Sequence, residues 1–256
     1  MLDISGLSLA FGGVYANRDI NLAVGVGELR GVIGPNGAGK STLLNLISGH
    51  LRPQAGTIEF DGERVETLPA HRRARRGIAI VFQGARLFPG MSVLENVMVG
   101  ATAVTGAGAV SAALRLPAHH REEHQIRESA RESLERVGLA GWAERDAASL
   151  PLGQQRRLQL ARALSGRPKL LLLDEPASGL RSAERDDLSS LLGELKVDGM
   201  SIVLIEHDVP MVMRVADRIT VLDLGKVICE GTPDVVRRDP QVIAAYLGAG
   251  AVHADH

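Results

Sequence analysis

The chain has a single cysteine, Cys229, in 256 residues. No intramolecular disulfide can form, and a reducing cytosolic setting is the natural one. Aromatic residues supply only 3% of the sequence, and lysine is scarce: Lys40, Lys169, Lys196 and Lys226 are four among 29 basic residues. The formal net charge is -1 and the pI about 6.7, which excludes the strongly basic class of nucleic-acid binders, so no nucleic acid is expected as a partner. A membrane-spanning run is missing as well. The most apolar long stretch, residues 97–114, is rich in Ala and Gly, carries Thr102, Thr105 and Ser111, and lacks the sustained Leu, Ile and Val of a span. The opening MLDISGLSLAFGG has no basic segment leading into an apolar one. The expectation is a cytosolic chain that works at a membrane only by docking on something embedded there.

What is present is enough apolar residue, 45%, to bury one sizeable core in one compact unit. Residues 7–11, 20–24 and 28–33 read as β-segments, the last entering a Gly-rich turn. The run STLLNLISG that follows has apolar residues at helical spacing and a Gly stop at Gly49. Residues 56–60 and 77–82 predict further strands, and residues 100–148 a mostly helical region with mixed charges. The continuous apolar runs KLLLLDEP and SIVLIEH fit strands buried on both faces, with an amphipathic helix between them at 183–199. No internal repeat appears, which favours a single unit over tandem ones. The tail GAGAVHADH is expected to fray.

Five stretches carry chemistry. GPNGAGKST comprises Gly34, Pro35, Asn36, Gly37, Ala38, Gly39, Lys40, Ser41 and Thr42, and stands after a strand and before a helix, the context a phosphate-binding loop requires. Glycines let main-chain N–H groups face a polyphosphate at a helix N-terminus. Lys40 offers a point charge to the β- and γ-phosphates, and Ser41 a hydroxyl to Mg²⁺. Asp174 ends a buried strand, where ligands gather at a sheet edge, and suits a Mg²⁺ contact. Glu175 beside it could polarise an attacking water as general base. His207, at the end of the next apolar run, falls on the same edge and could bond a γ-phosphate or orient water. Gln83 puts an amide where strand gives way to loop, a weak signal by itself. SLPLGQQRRLQLARAL places Gly153 and Gln154 directly before an Arg- and Leu-rich helix. Their N–H groups could meet an anion, and an ordinary helix entry with a solvated Arg156 and Arg157 face is an equal reading. The run HRRARRG, residues 71–77, is read as a solvated charged turn.

In this order, the stretches resemble the ATPases of ABC (ATP-binding cassette) transporters, over nearly the whole chain. The resemblance implies an α/β fold: a P-loop NTPase cassette with a RecA-like core, an antiparallel β subdomain and an inserted α-helical subdomain. It implies a single nucleotide-binding domain over residues 1–248, with the insert at about 100–160 and a flexible tail at 249–256. By the same resemblance GPNGAGKST is the Walker A loop, Gln83 the Q-loop glutamine that reaches nucleotide and metal, and LPLGQ the signature with Gly153 and Gln154. LLLLDEP is the Walker B strand, residues 177–181 the D-loop, His207 the switch histidine and Phe11 the residue stacking on adenine, with a core phenylalanine as the alternative. ATP and Mg²⁺ are the implied ligands. A second ATP-binding subunit, head to tail, and transmembrane permease subunits are the implied partners, with a solute-binding protein acting indirectly. The implied place is the cytoplasmic face of the inner membrane.

Two positions depart from the family pattern. Pro151 stands where the signature commonly has Ser, and Arg181 where this branch often has Asn or Asp. The FGG near the start, RLFPGMSVLENV, the Ala-rich insert and the long C-terminal stretch from IEHDVPMVM are most similar to branched-chain amino acid importer ATPases. Urea, amide or aromatic-acid uptake, and a soluble ABC ATPase acting on nucleic acid or ribosomes, stay as alternatives.

Overall fold

The computed structural model describes residues 1–84, 87–102 and 117–251. The chain opens with a hairpin of β1 (Leu2–Phe11) and β2 (Val14–Val24). Next come β3 (Leu29–Ile33), α1 (Lys40–Ser48), β4 (Ala55–Phe60), β5 (Glu63–Arg64), α2 (Ala70–Ala74) and β6 (Ile78–Val81). A helical stretch follows with α3 (Val93–Thr102), α4 (Pro117–Arg136) and α5 (Leu152–Leu164). The rest runs β7 (Leu170–Asp174), α6 (Ser182–Val197), β8 (Ser201–Ile205), α7 (Val209–Val215), β9 (Arg218–Asp223), β10 (Lys226–Gly231), α8 (Pro233–Arg238) and α9 (Pro240–Ala251). Residues 103–116 of the expected helical region and 252–256 of the expected tail lie outside the described residues, while α9 continues past residue 249.

Among the described residues the strands form two sheets. One has the order β2-β1-β4-β5 and antiparallel pairing. The other has the order β10-β9-β3-β8-β7-β6 and is parallel except for β10. The parallel sheet is buried on both faces, which explains why its strands are continuous apolar runs. Successive side chains of one strand feed opposite cores. Leu171 and Leu173 join Leu158, Leu191 and Val212 of α5, α6 and α7, whereas Leu170 and Leu172 join Leu43 and Leu46 of α1 and Ile58 of the antiparallel sheet. Each fully buried Leu or Ile contributes about 1.5–3 kcal/mol, so the sheet is clamped from both sides and its strand ends are fixed platforms.

β1 and β2 are longer than the expected 7–11 and 20–24 because their alternation is broken. Gly6 has φ +61, and the pairing slips between Ile4 and Leu7 and again before Leu9, which hides a period of two from the sequence. α1 ends at Gly49, in the left-handed region with φ +84 and its N–H on Asn45 O, as anticipated.

The charged turn at 71–77 is corrected by Arg73, which is buried. Its guanidinium donates to Leu46 O (2.6 Å) and Ile47 O (2.8 Å) at the end of α1, and to Leu68 O and Glu66 O. Arginine's fork matches the carbonyls left open at a helix C-terminus, where positive charge is also favoured by the dipole. Burial pulls its pKa down to about 10, opposed by the charge of Glu66.

Candidate functional site

β3, β8, β7 and β6 are consecutive neighbours in the parallel sheet, so the loops leaving their C-terminal ends lie side by side. The loop after β3 is residues 34–39. Gly39 has φ +98, and a Cβ there would sit 2.1 Å from Ala16 O; one on Gly34 would sit 2.0 Å from Leu222 O. Only glycine fits so close to a neighbouring backbone. Asn17 donates its side-chain N–H to Gly39 O (3.2 Å), and Gly225 N–H bonds Ala38 O (3.1 Å) while Gly225 O accepts from Arg18 N–H (2.7 Å). The loop is therefore gripped by the β1–β2 hairpin and the β9–β10 turn.

Lys40, the first residue of α1, is 6% exposed and donates Nζ–H to Gly34 O (2.8 Å) and Pro35 O (2.9 Å). Burial lowers its pKa, against the opposing charges of Glu175 and Asp174. The Ser41 hydroxyl donates to Asp174 Oδ1 (3.2 Å). Burial raises the Asp174 pKa, opposed by the Ser41 bond and reinforced by the Glu175 charge. Glu175 turns with φ +50, a strained value for a non-glycine residue. Its carboxylate has a neighbour on each side, as strand order dictates. His207 Nε2, from the β8 loop, is 2.5 Å from Oε1, and Gln83 Nε2, from the β6 loop, donates to Oε2 at 2.5 Å. An open depression of about 230 Å³ here is lined by residues 36–42 with Ala16, Glu175 and His207.

The structure thus brings together Gly34 to Thr42, Gln83, Asp174, Glu175 and His207. It does not bring Gly153 and Gln154 to them. Those two border a separate depression with Leu180, Glu184 and Asp187, and the helix begins three residues earlier than expected, at Leu152 with Pro151 as its N-cap. Proline lacks an N–H and suits a helix entry, so Gly153 falls inside the first turn, where N–H groups still have no intrahelical partner. Gln154 Oε1 is buried with no bond among the described residues. Phe11 ends β1 at 53% exposure, which sets aside a core role and leaves its ring face open beside the hairpin.

Arg156 is not a solvated charge. It donates to Gln83 O (3.0 Å) and Ser178 O (3.2 Å), tying α5 to the loops after β6 and β7. The sequence shows only an Arg-rich helix there, because its partners are main-chain oxygens brought in by the fold. Glu206 was also missed: it accepts from Ala177 N–H and His207 N–H, and its only sequence signal is an acid beside His207.

Residues 17–178 match the family model described as ABC transporter, and residues 226–252 the model described as branched-chain amino acid ATP-binding cassette transporter. The chain belongs to the ABC transporter family. It is the ATP-binding cassette of such a system, an ATPase. BraF of Pseudomonas aeruginosa and LivG of Escherichia coli K12, both high-affinity branched-chain amino acid transport ATP-binding proteins, are each 41% identical to this cassette over 97% of its length and 98% of theirs. The ADP conformation of MJ1267, an ATP-binding cassette of an ABC transporter, superposes with a TM-score of 0.85 at 30% identity, over 97% of this cassette and 98% of that chain.

Proposed function

We propose that this cassette hydrolyses ATP to drive uptake of branched-chain amino acids through membrane permease subunits, working as a head-to-tail dimer at the cytoplasmic face of the inner membrane. The observation that carries the chemistry is Glu175, held between His207 and Gln83 at the mouth of a cradle made by Lys40, Ser41 and Asp174. The cargo reading is supported by the 41% identity to BraF and LivG and by the match of the C-terminal stretch.

In this reading residues 34–42 hold the triphosphate and Phe11 stacks on the base. The donor set fits Mg²⁺: a hydroxyl and one carboxylate 3.2 Å apart, the sparse oxygen set this ion takes when phosphates complete its shell. Ser41 and Asp174 would hold it with Gln83, and when bound it would supply positive charge to the triphosphate. Glu175 accepts a proton from the water that attacks the γ-phosphorus; the bond to the β,γ-bridging oxygen breaks, giving ADP and phosphate. In this reading Gln83, which donates to Glu175 Oε2, is the group that senses a filled site. His207 keeps the other oxygen oriented and faces the γ-phosphate.

The separation of the two depressions supports the dimer reading: Gly153 and Gln154 lie apart from their own phosphate loop, and a second copy or a paralogue supplies the equivalent groups to it. Pro151 removes a hydroxyl from that contact and leaves the N–H groups. One nucleotide-binding domain covers residues 1–248, with the helical insert at about 100–160. An apolar groove of about 360 Å³ between the parallel sheet and the helical stretch, lined by Ile80, Phe82, Phe88 and Val99 with Arg162 at its side, receives a cytoplasmic segment of the permease. It adjoins Gln83, so closure at the nucleotide is felt by the permease. Among the described residues no helix is long and apolar enough to cross a membrane. Co-expression with the neighbouring membrane subunits and reconstitution into vesicles tests this. ATP-dependent uptake of radiolabelled leucine in the presence of the solute-binding protein is expected; ATP-dependent uptake of urea or an aromatic acid with none of leucine would overturn the cargo.

A further inference from the structure

The loop after β8 begins with a carboxylate that the chemistry above leaves unused. Glu206 follows the last residue of β8 and is 4% exposed. Oε1 accepts from Ala177 N–H at 2.6 Å and Oε2 from His207 N–H at 3.2 Å. β7 and β8 stay in register to the Asp174–Ile205 pair, and the last main-chain bond between them runs from Glu175 N–H to Ile205 O (2.9 Å). Beyond it the two chains part: Glu175 turns away at φ +50, and His207 leads toward α7. Glu206 adds a rung past the end of the ladder, one oxygen to each departing loop.

The residue type is an expensive one for that position. A buried carboxylate loses several kcal/mol of hydration unless it is well paired, and Glu206 is met by two main-chain N–H groups with the like charge of Glu175 nearby. Burial raises its pKa, with those two bonds opposing. A neutral hydroxyl would avoid the cost and still accept a bond. A carboxylate has two oxygens at a fixed angle, and both are in use.

We propose that Glu206 is a positioning residue for hydrolysis: by holding Ala177 and His207 on one carboxylate it fixes the spacing of the two turns that carry Glu175 and His207. It acts through main-chain bonds to Ala177 and His207. The proposal rests on the ATPase reading of the site and adds to it a residue that acts through the two already placed there.

The test uses the full-length chain with Glu206→Gln and Glu206→Ala, alongside wild type and Lys40→Ala. A Gln keeps one acceptor oxygen and turns an NH₂ toward the other N–H, so one bond is lost; Ala loses both. The affinity for a fluorescent ATP analogue is measured by titration, kcat and KM by phosphate release, and folding by thermal melting. The expected result is analogue affinity within about twofold of wild type in both variants, with kcat down about tenfold in Glu206→Gln and about a hundredfold in Glu206→Ala, the scale of small misplacements of reacting groups. The isosteric Gln variant carries the test alone if the Ala variant melts below the assay temperature. An active wild type with kcat unchanged in the variants, or with affinity and kcat falling together, overturns this proposal alone. A wild type that releases no more phosphate than Lys40→Ala overturns the ATPase reading and this proposal with it.

Discussion

Asp174 shows the tension between stability and function at the scale of one residue. It must be anionic to face a cation, yet burial raises its pKa, with the Ser41 bond opposing. A carboxyl whose folded pKa lies above its unfolded value of about 3.9 makes its full contribution to stability below that unfolded value. It loses the contribution as pH rises through the folded one. Asp174→Asn keeps an oxygen for the Ser41 hydroxyl and removes the penalty. Its melting temperature without nucleotide should exceed that of wild type at neutral pH, and the gap should close as pH falls into the carboxylate range; an equal or lower value at neutral pH would contradict the assignment. Lys40, Ser41, Asp174, Glu175 and His207 were legible from the sequence because each sits beside a strand or glycine signal in its own segment. Arg73, Arg156 and Glu206 were not, since what defines them is a main-chain partner far along the chain.

At the scale of elements, α1 matters because its N-terminus is the phosphate site and its C-terminus is held from behind by Arg73. Arg73→Ala strands several buried carbonyls, each worth about 1–3 kcal/mol when left without a donor. With some relaxation the loss should be about 3 kcal/mol, a fall in melting temperature of roughly 6–12 °C for a chain of this size. Arg73→Lys, which offers a point charge in place of the fork, should recover only part of it. A shift under about 2 °C in the Ala variant would show that the capping is dispensable. The buried parallel strands β3, β6, β7 and β8 were readable as apolar runs. β1 and β2 were read only in part, because the bulge at Gly6 breaks the alternation that reveals a strand facing two ways. The small β5 carries no periodicity long enough to stand out, while β9 was not read as a strand although it too buries an apolar run, and neither was its partner β10.

At the scale of the molecule, strand order does the assembling. Because β6, β7 and β8 are neighbours, Gln83, Glu175 and His207 leave one sheet edge in a row, and the central carboxylate is reached from both sides. No local pattern in the sequence gives that order; the family resemblance does. The same geometry keeps Gly153 and Gln154 apart from the phosphate loop. The account stands or falls on Glu175 as the base that activates water. Phosphate release by the wild-type cassette and by Glu175→Gln, at saturating ATP and Mg²⁺, tests it most directly. The account predicts turnover in wild type and a loss of about 10²- to 10⁴-fold in Glu175→Gln, the range expected for removal of a general base; turnover in the variant within a few-fold of wild type would contradict it.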